Sequence, residues 1–137
     1  MRLAILALAA FLAPALAMAG ELPDPRGPGA IPLCDAPSVV SAVIARQNWA
    51  EANTWQDGKR IAGVTHIRQR YATTKGMSLI EHRHCQARAQ LDNGRTEHVY
   101  YVISQRGGFV GLSWGLDVCL PSQDYYKVYD ADCRVLR

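Results

Sequence analysis

Asp92-Asn93-Gly94-Arg95 lies between two stretches of alternating residues, and no other feature restricts the fold of this chain so tightly. Asn-Gly readily supplies both positive φ angles of a type I′ turn, so its flanks should be the antiparallel strands of one hairpin. The stretch 78–91 leads in, with Cys85, Ala87, Ala89 and Leu91 in one phase, and 96–104 leads out. A two-residue loop at Asn93-Gly94 pairs Cys85 with Val102, Ala87 with Tyr100 and Ala89 with His98. In that register the alanines and Tyr100 form the face that carries a helix. His84, Gln86, Arg88, Gln90, Glu97, Val99 and Tyr101 form the other face.

The stretch 60–72 also alternates, with Ile61, Thr65, Ile67 and Tyr71 in one phase and His66, Arg68 and Arg70 in the other. A turn is expected over 73–76, and a fourth strand over 109–120 after Arg106-Gly107-Gly108. Ahead of the strands, Asp35 as N-cap and Pro37 in the first turn mark a helix start. From Ser38 to about Trp55, Val39, Val43 and Ala50 align. Val40, Ile44 and Trp55 widen that stripe on one flank, and Ala42 and Trp49 widen it on the other. A stripe so broad suits a helix cradled by a concave sheet. The expectation is α+β: one N-terminal helix packed on a roughly four-stranded antiparallel sheet, cystatin-like, with two disulfides.

Residues 1–19 stand apart. Arg2 precedes an apolar run over 3–16 broken by Pro14, and Ala17-Met18-Ala19 offers the small residues of a signal-peptidase site. The run is short of the roughly 20 residues that a spanning helix needs. Residues 20–33, dense in Pro and Gly, read as an extended leader, which leaves 34–137 as a single domain. A chain of 137 residues is too short for a multidomain enzyme. Its 15 basic and 12 acidic residues, one of the former being Arg2, are too balanced to make nucleic acid or a membrane surface the main partner. The expected location is periplasmic or secreted, with no membrane attachment after signal removal.

Four cysteines in an exported chain read as two disulfides rather than a metal site. Cys34–Cys85 with Cys119–Cys133 is one scheme, and Cys85–Cys119 with Cys34–Cys133 is its rival. Gly111-Leu112-Ser113-Trp114-Gly115 spells G-x-S-x-G, but a nucleophile elbow needs a helix after the turn and a histidine after the serine. Here a strand continues past Gly115, and the last histidine is His98. No catalytic residue is expected.

His82 and His84, two apart on a strand, leave the same face. If the first two strands pair, His66, Arg68, Arg70 and Arg88 join them as a candidate ligand-binding surface. Lys59, Arg60, Arg68, Arg70, Lys75, Arg83 and Arg88 meet only Glu81 among acids in that region, whereas Asp117, Asp124, Asp130 and Asp132 crowd the C-terminal part. The candidate partner is an anionic small molecule or an acidic protein. The plain alternative is a solvated outer sheet face, which is polar by necessity. Zinc or copper suits paired imidazoles, but spacing fixes no third ligand, so neither a metal nor another cofactor is expected. Anion binding should weaken with salt and strengthen below about pH 6.5. The competing reading is a small periplasmic enzyme with a pocket between helix and sheet, using His98 and Tyr100 as acid and base.

His84-Cys85-Gln86-Ala87-Arg88-Ala89, Asp92-Asn93-Gly94-Arg95, Val99-Tyr100-Tyr101-Val102-Ile103, Trp114-Gly115 and Cys119 resemble a group of small exported bacterial proteins. The likeness runs from the first cysteine to the last, behind a signal peptide. It implies the domain limits and structural roles for the cysteines. The group carries no assigned activity, ligand or cofactor, so it implies no site residues.

Overall fold

Pro37 opens α1 (Pro37–Ala50) in the first turn, where its missing N–H has no partner to lose. The structure is a computed structural model that describes residues 31–73 and 80–137. The expected signal sequence, most of the leader and the expected turn beyond Thr73 lie outside the described residues. Asp35 is not the N-cap. The proline holds Ala36 extended, so Ala36 takes the cap position and Asp35 falls one residue outside it. Val39, Val43, Gln47 and Glu51 recur every four residues and form one buried line. The stripe is narrower than expected, because Trp49 on its flank is 67% exposed. The helix runs on through one π-helical turn, Glu51–Trp55, and stops at left-handed Gln56 (φ 52°).

Four strands follow: β1 (Ile61–Thr73), β2 (His82–Leu91), β3 (Thr96–Ser104) and β4 (Gly115–Cys119). They form one antiparallel sheet in chain order, with β1 and β4 at its edges. The fold is α+β, as the alternation implied. β4 is shorter than expected because Phe109–Gly111 turns as 3-10 helix. Ser113 is exposed and a strand, not a helix, follows Gly115. Gly115 abuts the backbone of Gly107, and a Cβ there would lie 2.7 Å from the Gly107 carbonyl. Only glycine permits that approach.

The hairpin exists, but its turn differs from the expected one. Gly94 alone among the turn residues has positive φ (78°). Gly94 N–H donates to Leu91 O and Leu91 N–H to Arg95 O, both at 2.9 Å. This is a type I turn closed by a glycine bulge, and the loop holds one residue more than a type I′ turn. Cys85 therefore faces Tyr101, Gln86 faces Tyr100 and Arg88 faces His98. A one-residue slip reverses every side chain of a strand. Val99, Tyr101 and Ile103 join Cys85, Ala87, Ala89 and Leu91 beneath α1, with Val39, Val43, Ile61 and Val118. The observed register puts the more apolar half of β3 inside and leaves His98 outside. Tyr101 is fully buried, and its hydroxyl donates to Cys34 O at 2.7 Å. Desolvation holds that phenol far above its ordinary pKa.

The disulfides are Cys34–Cys85 and Cys119–Cys133, so the rival scheme is excluded. Loops of 51 and 14 residues correspond to about 4 and about 3 kcal/mol in the chain-entropy description. Such bridges point to an oxidising, non-cytoplasmic environment. Among the described residues no helix is long and apolar enough to cross a membrane. Ile31, which falls within the expected extended leader, is fully buried in the core. The C-terminal segment folds across the outer sheet face, where Tyr100, Val102, Cys119, Cys133 and Leu136 form a second small core.

Candidate functional site

The outer face of the sheet is built from the even-numbered residues of β2. His82, His84, Gln86 and Arg88 alternate with the core residues Cys85, Ala87 and Ala89. On β1 simple alternation fails. Register shifts fall between Ile61 and Gly63, between Thr65 and Arg68, and between Gln69 and Tyr71. Each inserted residue re-phases the strand. Thr65, expected in one phase with Ile67, pairs with Arg88 on the outer side, while Ile67 packs on the core. His66 sits in the bulge with φ 52° and bonds the Thr65 hydroxyl at 3.2 Å. It has no partner in the ladder, and the structure does not bring it into the cluster.

Arg68 and Arg70 do converge. Both guanidinium groups donate to one acceptor, Gln86 Oε1, each at 3.2 Å. That fixes the amide of Gln86, whose Nε2 then donates to His98 Nδ1 at 3.0 Å. Gln86 is buried while both arginines are exposed, so a rigid amide anchors two solvent-facing forks. Each fork has five donors and spends one on Gln86. Neither arginine forms an ion pair among the described residues. Arg88 is exposed on the same face beside His98. Arg83 belongs to the opposite phase: it is buried, bonds Gln69 Oε1 and lies 3.9 Å from Glu81.

His84 closes the other end of the cluster. Its ring stacks on Tyr71 with centroids 4.1 Å apart, and its Nδ1–H donates to Leu136 O at 3.3 Å. Desolvation lowers its pKa. The Leu136 carbonyl opposes that shift, and the positive fields of His82 and Arg70 add to it. His82 bonds Ser104 Oγ at 3.0 Å. Arg137 brings a further cation to the face, 5.9 Å from the Tyr100 ring. Of the six expected ligand-binding residues, Arg68, Arg70, His82, His84 and Arg88 share this face, and His66 stands aside.

Sequence reasoning missed Gln86 as the anchor, although its parity with His84 and Arg88 was visible. It also missed Tyr71, which only a bulge turns outward, and Arg137, which arrives by a path without periodicity. His98 and Tyr100 were expected beneath the helix and are on the outer face, away from any pocket between helix and sheet.

A second polar cluster joins the end of α1 to Pro121–Gln123. Gln123 Nε2 donates to Glu51 Oε2 and Asp57 Oδ1, both at 2.7 Å, and Gln47 Nε2 donates to Gln123 Oε1. Glu51 Oε1 accepts Gly58 N–H at 2.6 Å. Asp57 Oδ2 accepts from Lys59 Nζ at 2.6 Å and from the Tyr125 hydroxyl at 2.7 Å. These carboxylates all serve as structural acceptors. Cys119, Asp124 and Cys133 also lie together, but both sulfurs are consumed in a disulfide, so they are no metal site.

Compared with known proteins, the chain matches no family model, no curated protein and no solved structure.

Proposed function

We propose that this protein is a non-catalytic binding domain, periplasmic or secreted, whose outer sheet face takes an anionic group. The convergence of Arg68 and Arg70 on Gln86 carries this reading. Two exposed guanidinium forks on one buried amide, without a carboxylate partner among the described residues, suit the multidentate oxygens of carboxylate, phosphate or sulfate. His82, His84 and Arg88 extend the positive field. The enzyme alternative gains no support from this geometry. His98 Nδ1 is occupied by Gln86, and Tyr100 packs in the second small core.

The test is a titration of the oxidised protein with sodium sulfate and, separately, with a hexaglutamate peptide, followed by the Arg68 and Arg70 side-chain Nε–H signals. Both probes should shift these signals saturably, and an Arg68→Ala/Arg70→Ala double variant should lose at least tenfold in affinity. Tight binding of the peptide alone would make the partner an acidic protein. If neither probe perturbs the signals, or if the double variant binds equally well, the reading is wrong.

A further inference from the structure

The proposed anion site has bounds as well as charge. At one end the Leu136 carbonyl sits on His84, 3.3 Å from Nδ1, and Tyr71 stacks on the same ring. Towards β4, Tyr100 is buried in the second small core and Arg137 lies over its ring. The open part runs from Gln86 to Arg88, with Arg68 and Arg70 on one side and His98 on the other. We propose, on the basis of the anion-site reading, that the ligand is a linear oligophosphate, one end held by Arg68 and Arg70 and the other by Arg88.

Three observations select that class. First, the charge is uncompensated. β1 and β2 contain no Asp or Glu. The one acid of β3, Glu97, pairs with Ala89 in the core phase and accepts from Ser122 Oγ at 2.8 Å. Asp117, on the outer phase of β4, lies two strands from Gln86 and bonds the Tyr129 side chain. Asp92, at the hairpin, is 3.6 Å from Arg60. Arg137 brings both its guanidinium and its main-chain oxygen to this face, the latter 3.4 Å from the Tyr71 hydroxyl, and so serves as a wall. Arg68, Arg70 and Arg88 remain as permanent cations, without an ion pair among the described residues.

Second, the cations are dense. Arg68 and Arg70 share one acceptor, and Arg88 is two residues, about 7 Å, along β2 from it. A single sulfate or phosphate answers the first pair and leaves Arg88 unmatched. Phosphates linked through shared oxygens carry charge on every link and cover both positions. His98 adds a donor, since Nδ1 accepts from Gln86 Nε2 and the neutral ring then keeps its proton on Nε2.

Third, the cationic stretch is short. Three same-side carboxylates of an extended peptide would span about 13 Å. Here Leu136 closes the face at His84, and the next outward residue beyond Arg88 is the uncharged Gln90. A compact chain of charges fits where an extended one does not.

The experiment is a calorimetric titration of the oxidised protein with sodium sulfate, pyrophosphate, tripolyphosphate and hexaglutamate at one ionic strength. Affinity should rise at each step from sulfate to tripolyphosphate, at least tenfold in all, and hexaglutamate should bind more weakly than tripolyphosphate. Arg88→Ala should weaken tripolyphosphate at least tenfold and leave sulfate unchanged. Arg46→Ala, at an exposed position of α1 on the other side of the sheet, should change neither. Adenosine triphosphate separates the sources: affinity equal to that of tripolyphosphate means a phosphate chain borne on a larger molecule is accepted, and a tenfold loss means a free oligophosphate. The proposal falls if tripolyphosphate binds no tighter than sulfate, if hexaglutamate matches it, or if Arg88→Ala weakens both anions alike. In those cases sulfate still shifts the Arg68 and Arg70 signals and the anion-site reading stands. Silence of those signals towards every probe would overturn both.

Discussion

Gln86 carries no charge, yet it decides where two charges stand. Its single oxygen accepts from Arg68, its partner in the ladder, and from Arg70, which lies within the register shift between Gln69 and Tyr71. A Gln86→Leu variant keeps volume and removes that acceptor. It should weaken sulfate binding several-fold while both arginines remain, and titration of Gln86→Leu against the double arginine variant separates positioning from contact. Asp57 shows the same economy in the second cluster. Desolvation pushes its carboxyl up, but hydrogen bonds from Lys59, Tyr125 and Gln123 outweigh it and lower the pKa to about 2. A carboxylate whose folded pKa lies below its unfolded one stabilises the fold above the unfolded pKa, near 3.8, and loses that contribution as pH falls towards 2. Asp57→Asn should therefore lower the urea midpoint at pH 7 and make little difference at pH 2. An equal loss at both pH values would assign the effect to packing instead of charge.

The elements separate what the sequence makes legible from what it hides. Period-two alternation located β1, β2 and β3, and Thr96–Ser104 was placed at its observed bounds. The turn between β2 and β3 was harder, because Asn-Gly serves both a type I′ turn and a type I turn with a glycine bulge. The choice depends on which half of β3 is buried, and Val99, Tyr101 and Ile103 are the better core. The same slip moved His98 and Tyr100 across the sheet and removed the enzyme reading's acid and base from the helix side. Gly94 holds the bulge, so Gly94→Ala should cost about 1 kcal/mol, read from urea unfolding. A change near zero would mean that the turn readily re-forms without positive φ.

The C-terminal segment was illegible for a different reason. Asp130, Ala131, Asp132 and Cys133 all have φ between 53° and 60°, four left-handed residues in a row. Each costs roughly 1–2 kcal/mol, and no propensity predicts such a run. Its restraint comes from the Cys119–Cys133 bridge and the bond from Cys133 N–H to Asp124. A Cys119→Ser/Cys133→Ser variant should therefore exchange amide hydrogens rapidly over 121–137 while β2 and β3 stay protected. Persistent protection of that segment would show that packing alone holds it.

For the whole molecule, pH links the fold to the proposed anion site through His84. Burial disfavours its charged form, the Leu136 carbonyl partly restores it, and His82 and Arg70 oppose it again. Imidazole in the unfolded chain protonates near pH 6.5. With the folded pKa lower, the folded protein binds fewer protons than the unfolded chain just below that value, so stability declines as pH falls through it. Above about pH 7 the ring is neutral in both states, and this contribution is level. An anion held by Arg68 and Arg70 acts in the other direction, since its charge offsets the positive fields of His82 and Arg70 that add to the effect of burial. By linkage the bound anion must raise the His84 pKa, and sulfate affinity must rise as pH drops from the bound to the free value. Sulfate does not titrate in this range, so the change belongs to the protein. The rise should reach further into acid than the 6.5 expected for an unperturbed imidazole, and it should shrink with added salt as screening weakens the field. His84→Gln should flatten the profile without abolishing binding, because the arginine forks remain. A profile that is flat in the unsubstituted protein, or unchanged in His84→Gln, would detach His84 from the site and leave its stacking on Tyr71 as a purely structural contact.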